Sequence, residues 1–263
     1  MDDLRVTLVQ ADLTWEDGAA NRENLGRLIA TVDAPTDLII LPEMFATGFS
    51  MAPQSLAEPM TGDSVRWLGE IAAIRKVAVC GSLMIKERER YYNRLLWVTP
   101  DSGLFSYDKR HLFTFAGEDR VYTAGKRRLQ VSLKAWHILP MICYDLRFPG
   151  WIRNRPPYYD LAIFVANWPA KRADHWRSLL KARAIENQSY VIGVNRVGRD
   201  GNGHEYVGDS MVVDPQGRIV FHRAVDAGVT TVSLEAELLR RCRREFPALA
   251  DGDDFGGIPP AGI

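Results

Sequence analysis

Three short runs constrain this chain more than any other feature: Leu38–Leu41, Ile138–Ile142 and Leu161–Ala166 are apolar throughout. Apolar runs of this length, bounded by polar or turn residues, read as strands buried inside a sheet. The first ends at Pro42-Glu43, the second at Cys143 and the third at Asn167-Trp168-Pro169, and of these ends Glu43 and Cys143 carry chemistry to offer. In open α/β sheets ligands bind beyond the carboxyl ends of the strands, so the Cys143 thiol is placed to face a cleft. Taken alone, Cys143 is more simply a small core hydrophobe, the commonest fate of a free Cys.

The remaining segments say what surrounds those strands. Leu4–Gln10 is a further strand. Asn21–Val32 places Leu25, Leu28, Ile29 and Val32 on one helical face. A second helix over Asp63–Arg75 buries Val65, Leu68, Ile71 and Ala72, with Asp63 or Ser64 as its cap. Val77–Ile85 and Tyr91–Thr99 form a hairpin that Gly103–Lys109 extends. After the Cys strand come a helix at His175–Asn187, with Trp176, Leu179, Leu180 and Ala184 inward, and a strand at Tyr190–Asn195. Strands at Tyr206–Val213, Arg218–His222 and Val229–Leu234 and a helix at Glu235–Arg244 follow, and Gly201–Gly203 is a hairpin turn. Strand–helix–strand alternation implies crossovers over parallel pairing, and the hairpins add antiparallel strands. The expected architecture is α/β: two packed β-sheets flanked by helices. No composition break divides residues 1–263, so one domain is expected, with a Gly/Pro-rich tail from about 250 that dangles or packs on a neighbouring subunit.

Several function classes drop away. Lys plus Arg and Asp plus Glu both total 33, which gives no field for nucleic acid. The basic runs Lys126–Arg128 and Arg240–Arg244 are short and read as solvated faces. No apolar run approaches the ~20 residues of a membrane span. The acidic start, Met1-Asp2-Asp3, does not resemble a secretory signal, and three scattered cysteines suit a reducing, cytoplasmic setting. The five histidines lack metal-ligand spacing, so neither a metal nor another cofactor is expected. Phosphate-cradling glycine loops and the serine-hydrolase elbow are absent.

Glu43, Lys109 and Cys143 are each ordinary singly: a carboxylate after a strand, a charge between Asp108 and Arg110, a core thiol. Together, three strand ends supply a base, a fixed cation and a thiol, the components of thiol acyl transfer. No His is needed, unlike the Cys–His proteases.

The motifs that carry these residues are Leu41-Pro42-Glu43, Asp108-Lys109-Arg110-His111-Leu112-Phe113 and Cys143-Tyr144-Asp145-Leu146-Arg147-Phe148-Pro149. With Val165–Pro169 and Ala182–Asn187 they resemble, in order and from end to end, the nitrilase superfamily of carbon–nitrogen hydrolases. The resemblance implies an α-β-β-α sandwich that pairs into a homodimer or higher homo-oligomer. It also implies Cys143 as nucleophile, Glu43 as general base and Lys109 as oxyanion residue. The family's second carboxylate is Glu118, with Asp119 the alternative. More narrowly, Cys143–Pro149 with Ala166–Pro169 is similar to the omega-amidase branch, which implies a small-molecule amide substrate: 2-oxoglutaramate or 2-oxosuccinamate, cleaved to acid and ammonia. Arg147 is the expected partner of the substrate carboxylate, unless it pairs with Asp145 or a helix start. Phe49, Phe115, Tyr144 and Trp168 are the expected pocket walls, with core packing the alternative for each. Competing readings are another amidase of the superfamily, acting on deaminated glutathione, carbamoyl or aliphatic amides, and a catalytically silent binding scaffold.

Overall fold

The computed structural model describes residues 1–253, so most of the expected Gly/Pro-rich tail lies outside the described residues. Five strands open the chain: β1 (Leu4–Gln10), β2 (Leu38–Ile40), β3 (Ala78–Glu87), β4 (Arg90–Val98) and β5 (Leu104–Asp108). Seven more follow: β6 (Val131–Leu133), β7 (Trp136–Ile142), β8 (Leu161–Ala166), β9 (Tyr190–Asn195), β10 (Val197–Arg199), β11 (Glu205–Val213) and β12 (Ile219–Ala224). The last, β13 (Gly228–Leu234), returns to pair with β1, giving one sheet in the order β13-β1-β2-β3-β4-β5. The second sheet runs β10-β11-β9-β8-β7-β6, with β12 on β11.

Parallel strand pairing runs through β1-β2-β3 and β7-β8-β9, the segments linked by crossovers, and the hairpins are antiparallel. The apolar runs are uninterrupted because both faces of these strands are covered. Side chains alternate across a strand, so Leu38 and Ile40 join the core between the sheets while Ile39 and Leu41 pack under the outer helices. Helix Gly18–Ala30 contributes Leu25 and Ile29 to that outer layer, and helix Asp63–Arg75 contributes Val65, Leu68 and Ala72. On the far side Trp176 and Leu180, from helix Ala173–Asn187, lie against β9. Gly193 allows that approach, since a Cβ there would sit 2.5 Å from Trp176 and 2.6 Å from Leu180.

The expected two-sheet sandwich is therefore present. Its details differ from the sequence reading in four places. Helix Gly18–Ala30 begins earlier than Asn21, because Asp17 caps it through Ala20 N–H. Neither Asp63 nor Ser64 caps the second helix; the Glu58 carboxylate accepts from Ser64 N (2.7 Å) and Oγ (2.6 Å) instead. β6 and β10, three residues each, are too short to show a period. The basic runs are not wholly solvated: Arg128 is buried, and Arg243 holds Asp160 (2.7 Å) and the Tyr159 carbonyl. No helix among the described residues is long and apolar enough to cross a membrane.

Candidate active site

The polar residues that follow β2, β5, β7 and β8 converge. After Ile40 the backbone stays tied to β3 (Leu41 N to Cys80 O, 2.8 Å) and then turns at Met44, whose φ is +43°. Ser82 Oγ accepts from Met44 N at 2.8 Å and so fixes that turn. Glu43, fully buried, is left pointing across the end of the sheet. Lys109 follows β5 directly, its backbone held from both sides: its N–H donates to Asn93 O and its carbonyl accepts from Gly125 N, each at 2.9 Å. Gly125 is required there, because a Cβ would come 2.1 Å from the Asp108 carbonyl oxygen.

Lys109 Nζ, 1% exposed, donates to Glu43 Oε1 (2.8 Å) and to both oxygens of Glu118 (3.0 Å each). Glu118, rather than its neighbour Asp119, is the buried second carboxylate, and Phe113 N–H holds it at 2.6 Å. Burial disfavours the ammonium, but the charges of Glu118 and Glu43 outweigh that and hold the Lys109 pKa above the ordinary lysine value. Burial and the neighbouring Glu43 push Glu118 upward, against the pull of Lys109.

Cys143 starts a tight turn where β7 ends, with φ at +42°, a left-handed backbone that a non-glycine residue adopts only under constraint. Asp145 supplies the constraint. Its carboxylate accepts from Ile142 N (3.2 Å), His111 N (3.0 Å), His111 Nδ1 (2.8 Å) and Tyr107 Oη (2.8 Å). Arg183 clamps the same turn through the Leu146 carbonyl, at 2.8 and 3.0 Å. Burial, then the Glu43 charge, raises the Cys143 pKa well above the ordinary thiol value, with Lys109 opposing. Burial and the Glu43 charge thus favour the protonated sulfur at rest.

Three residues not singled out by the sequence complete this centre. Asn93 donates to Glu43 (2.8 Å) and Glu118 (3.3 Å). Asn167 donates its backbone N–H to Glu43 Oε2 (2.8 Å) and its side chain to the Glu43 carbonyl (2.6 Å). Asp145 is the third. Asn167 carried the same mark as Glu43 and Cys143, a polar residue closing an apolar strand; Asn93 and Asp145 carried none.

Above the centre lies a cavity of about 750 Å³ reached by Lys109, Cys143 and Asn167. All five expected pocket residues line it. Phe49 sits under Lys109 Nζ (5.1 Å to the ring centroid), and Tyr144 packs edge-on against Phe113 and Phe148. Phe115 is 87% exposed and forms rim, not core. Arg147 lies 4.8 Å over the Trp168 ring and donates to His175 Nδ1 at 2.9 Å. It does not pair with Asp145, whose oxygens are taken. Among the described residues no cluster of three His, Cys, Asp or Glu could hold a metal.

A buried thiol, a carboxylate and a lysine at neighbouring strand ends of an α-β-β-α sandwich define a thiol hydrolase. Residues 5–244 match the carbon-nitrogen hydrolase family, so the chain belongs to that family and is a hydrolase of carbon–nitrogen bonds in non-peptide amides. It is 47% identical over 261 residues to omega-amidase YafV of Escherichia coli K12, covering 97% of this chain and 99% of that one. It is 29% identical to 2-oxoglutaramate amidase of Bacillus subtilis over 250 residues, 94% of this chain and 96% of the relative. A crystal structure of XC1258 from Xanthomonas campestris, a CN-hydrolase superfamily protein, superposes with a TM-score of 0.95 at 46% identity, covering 97% and 99% of the chains.

Proposed function

We propose that the chain hydrolyses the omega-amide of small 2-oxo acids, 2-oxoglutaramate and 2-oxosuccinamate, to the acid and ammonia through a Cys143 thioester. One observation carries the reading: Glu43, Lys109 and Glu118 share one hydrogen-bonded cluster beside Cys143, under a cavity that also holds Arg147. The Escherichia coli relative is named an omega-amidase and the Bacillus subtilis relative a 2-oxoglutaramate amidase, which supports the reading.

Glu43 takes the Cys143 proton as the sulfur attacks the amide carbon. Because the thiol pKa is raised, ionisation is coupled to attack rather than preceding it. Lys109 Nζ and the Tyr144 backbone N–H hold the oxyanion, a contribution of roughly 3–4 kcal/mol per donor. The tetrahedral carbon collapses, and nitrogen leaves as ammonia with the proton from Glu43. Water then gives a proton to Glu43 and attacks the thioester; the sulfur departs and recovers that proton. Glu118 positions Lys109 and accepts from the amide nitrogen, and Arg147 takes the substrate carboxylate. The same reading includes one domain over 1–263, pairing of two copies, and a cytoplasmic setting suited to three free cysteines.

The test is ammonia release from 2-oxoglutaramate and 2-oxosuccinamate beside aliphatic, carbamoyl and deaminated-glutathione amides. Cys143→Ala is expected to abolish turnover with the fold intact, and Glu43→Gln to reduce kcat by orders of magnitude. Near wild-type activity in either variant refutes the assigned role, and preference for another amide in the panel refutes the substrate.

A further inference from the structure

A second guanidinium faces the cavity beside Arg147. The chain leaves β8 through a turn secured at several points: Trp168 N–H donates to Asn195 Oδ1 (2.8 Å), Arg172 N–H to the Pro169 carbonyl (3.0 Å), and the Trp168 indole to the Arg172 carbonyl (2.7 Å). Arg172 is thereby fixed to the segment that carries Asn167 and Trp168. Its side chain lies 5.3 Å over the Phe113 ring, as Arg147 lies over Trp168. Each guanidinium is supported on an aromatic face, which orients the plane and leaves edge N–H groups for a ligand.

Neither charge is answered within the protein. Among the described residues no carboxylate lies within ion-pair distance of Arg147 or Arg172, whereas Arg94, Arg183, Arg196 and Arg243 each have one. The two acids that line the cavity are engaged: Glu16 accepts from Ser50 Oγ (2.5 Å), and Asp200 from Asn202 N, His204 N and Tyr206 Oη. After burial, the charge of Arg172 is one of the influences that lower the Arg147 pKa, so the two cations feel each other. Paired like charges in a largely apolar cavity are unfavourable until an anion joins them.

We infer that Arg172 is a specificity-determining residue that closes, with Arg147, on the adjoining carboxylate and 2-oxo oxygens of the substrate. The inference rests on the 2-oxo acid reading above. A 2-oxo carboxylate presents three acceptor oxygens on adjacent carbons, more than one guanidinium edge satisfies in bidentate fashion. A simple aliphatic amide offers nothing to the pair.

Two measurements on Arg172→Gln and Arg172→Lys test it. With 2-oxosuccinamate, Arg172→Gln is expected to raise KM by about 10- to 100-fold, the size of a lost charged hydrogen bond, while kcat stays within about threefold; Arg172→Lys recovers part of the KM. The second measurement needs no turnover: Cys143 alkylation by bromopyruvate, a 2-oxo acid, relative to alkylation by neutral iodoacetamide. The wild-type ratio is expected to fall at least about tenfold in Arg172→Gln. Equal losses toward both reagents, or a fall in kcat with KM unchanged, indicate a structural role and overturn the inference, as does an unaltered ratio. Wild-type protein that ignores 2-oxo acid amides, while its Arg172→Gln variant still loses bromopyruvate preference, refutes the proposed substrate and leaves the anion clamp standing.

Discussion

Replacing Asp145 by Asn changes one atom and almost no volume, yet the hydrogen bonding around it makes the outcome calculable. Oδ1 serves two donors of His111, the backbone N–H and Nδ1; Oδ2 serves Tyr107 Oη and Ile142 N–H. Whichever way the substituted side-chain amide turns, its NH₂ faces one main-chain N–H that has no second protonation state. The side-chain donors can adapt, His111 by changing tautomer and Tyr107 by rotating. Tyr107 is hindered, because its oxygen already accepts from Arg110 N (3.2 Å) and Trp151 Nε1 (3.1 Å). One buried N–H left unpaired costs about 1–3 kcal/mol, and loss of charge assistance in the remaining bonds raises the total to about 2–4 kcal/mol. The bond to Ile142 also holds the residue preceding Cys143, so the +42° φ of Cys143 loses support. Urea unfolding of Asp145→Asn is therefore expected to show a lower unfolding free energy by that amount at unchanged m-value, with kcat down at least about tenfold. A variant within about 0.5 kcal/mol of wild type that keeps its kcat would show that Asp145 does not hold the turn.

Two further outcomes follow from the electrostatics. Glu118→Gln retains a Lys109 acceptor but removes a charge that raises the Cys143 pKa. Its signature is opposed: turnover falls by about 10- to 100-fold while Cys143 is alkylated faster by iodoacetamide at about pH 8, and a parallel fall in both rates contradicts it. Far from the site, burial works against ionised Asp37, but hydrogen bonds from Arg5 and then Lys134 outweigh it and hold its pKa down to about 2. A lowered carboxylate pKa stabilises the fold above the unfolded value of about 4, and that stability is lost as pH falls toward about 2. Asp37→Asn is expected to be less stable than wild type by roughly 1 kcal/mol at about pH 6, after solvent screening of Arg5, with the gap closing toward about pH 2. A gap that stays constant over that range excludes the linkage.

Much of the candidate site was legible because its signal is local. Glu43 and Cys143 interrupt apolar runs at the point where a buried strand must emerge, and hydrophobic patterning alone marks that boundary. The two-sheet sandwich was legible for the same reason, since fully apolar strands need cover on both faces. Strands of three residues, such as β6 and β10, carry too little pattern to be seen.

Other assignments waited on register across the sheets. Glu118 and Asp119 are adjacent acids at the start of one short helix, and only the packed chain buries the first against Lys109. Asn93 is an ordinary polar residue within β4, 50 positions from the carboxylate it holds. Arg147 had Asp145 two residues away as an apparent partner, yet that carboxylate is consumed by β5, His111 and the turn itself, and the guanidinium lines the cavity while bonding His175 in the first turn of helix Ala173–Asn187. By itself the sequence determined which residue types stand at the strand ends, because burial of a strand is a one-dimensional pattern. The tertiary structure decided which of them share a proton and which face an open cavity, because hydrogen bonds and charge pairs depend on distances between segments far apart in the chain.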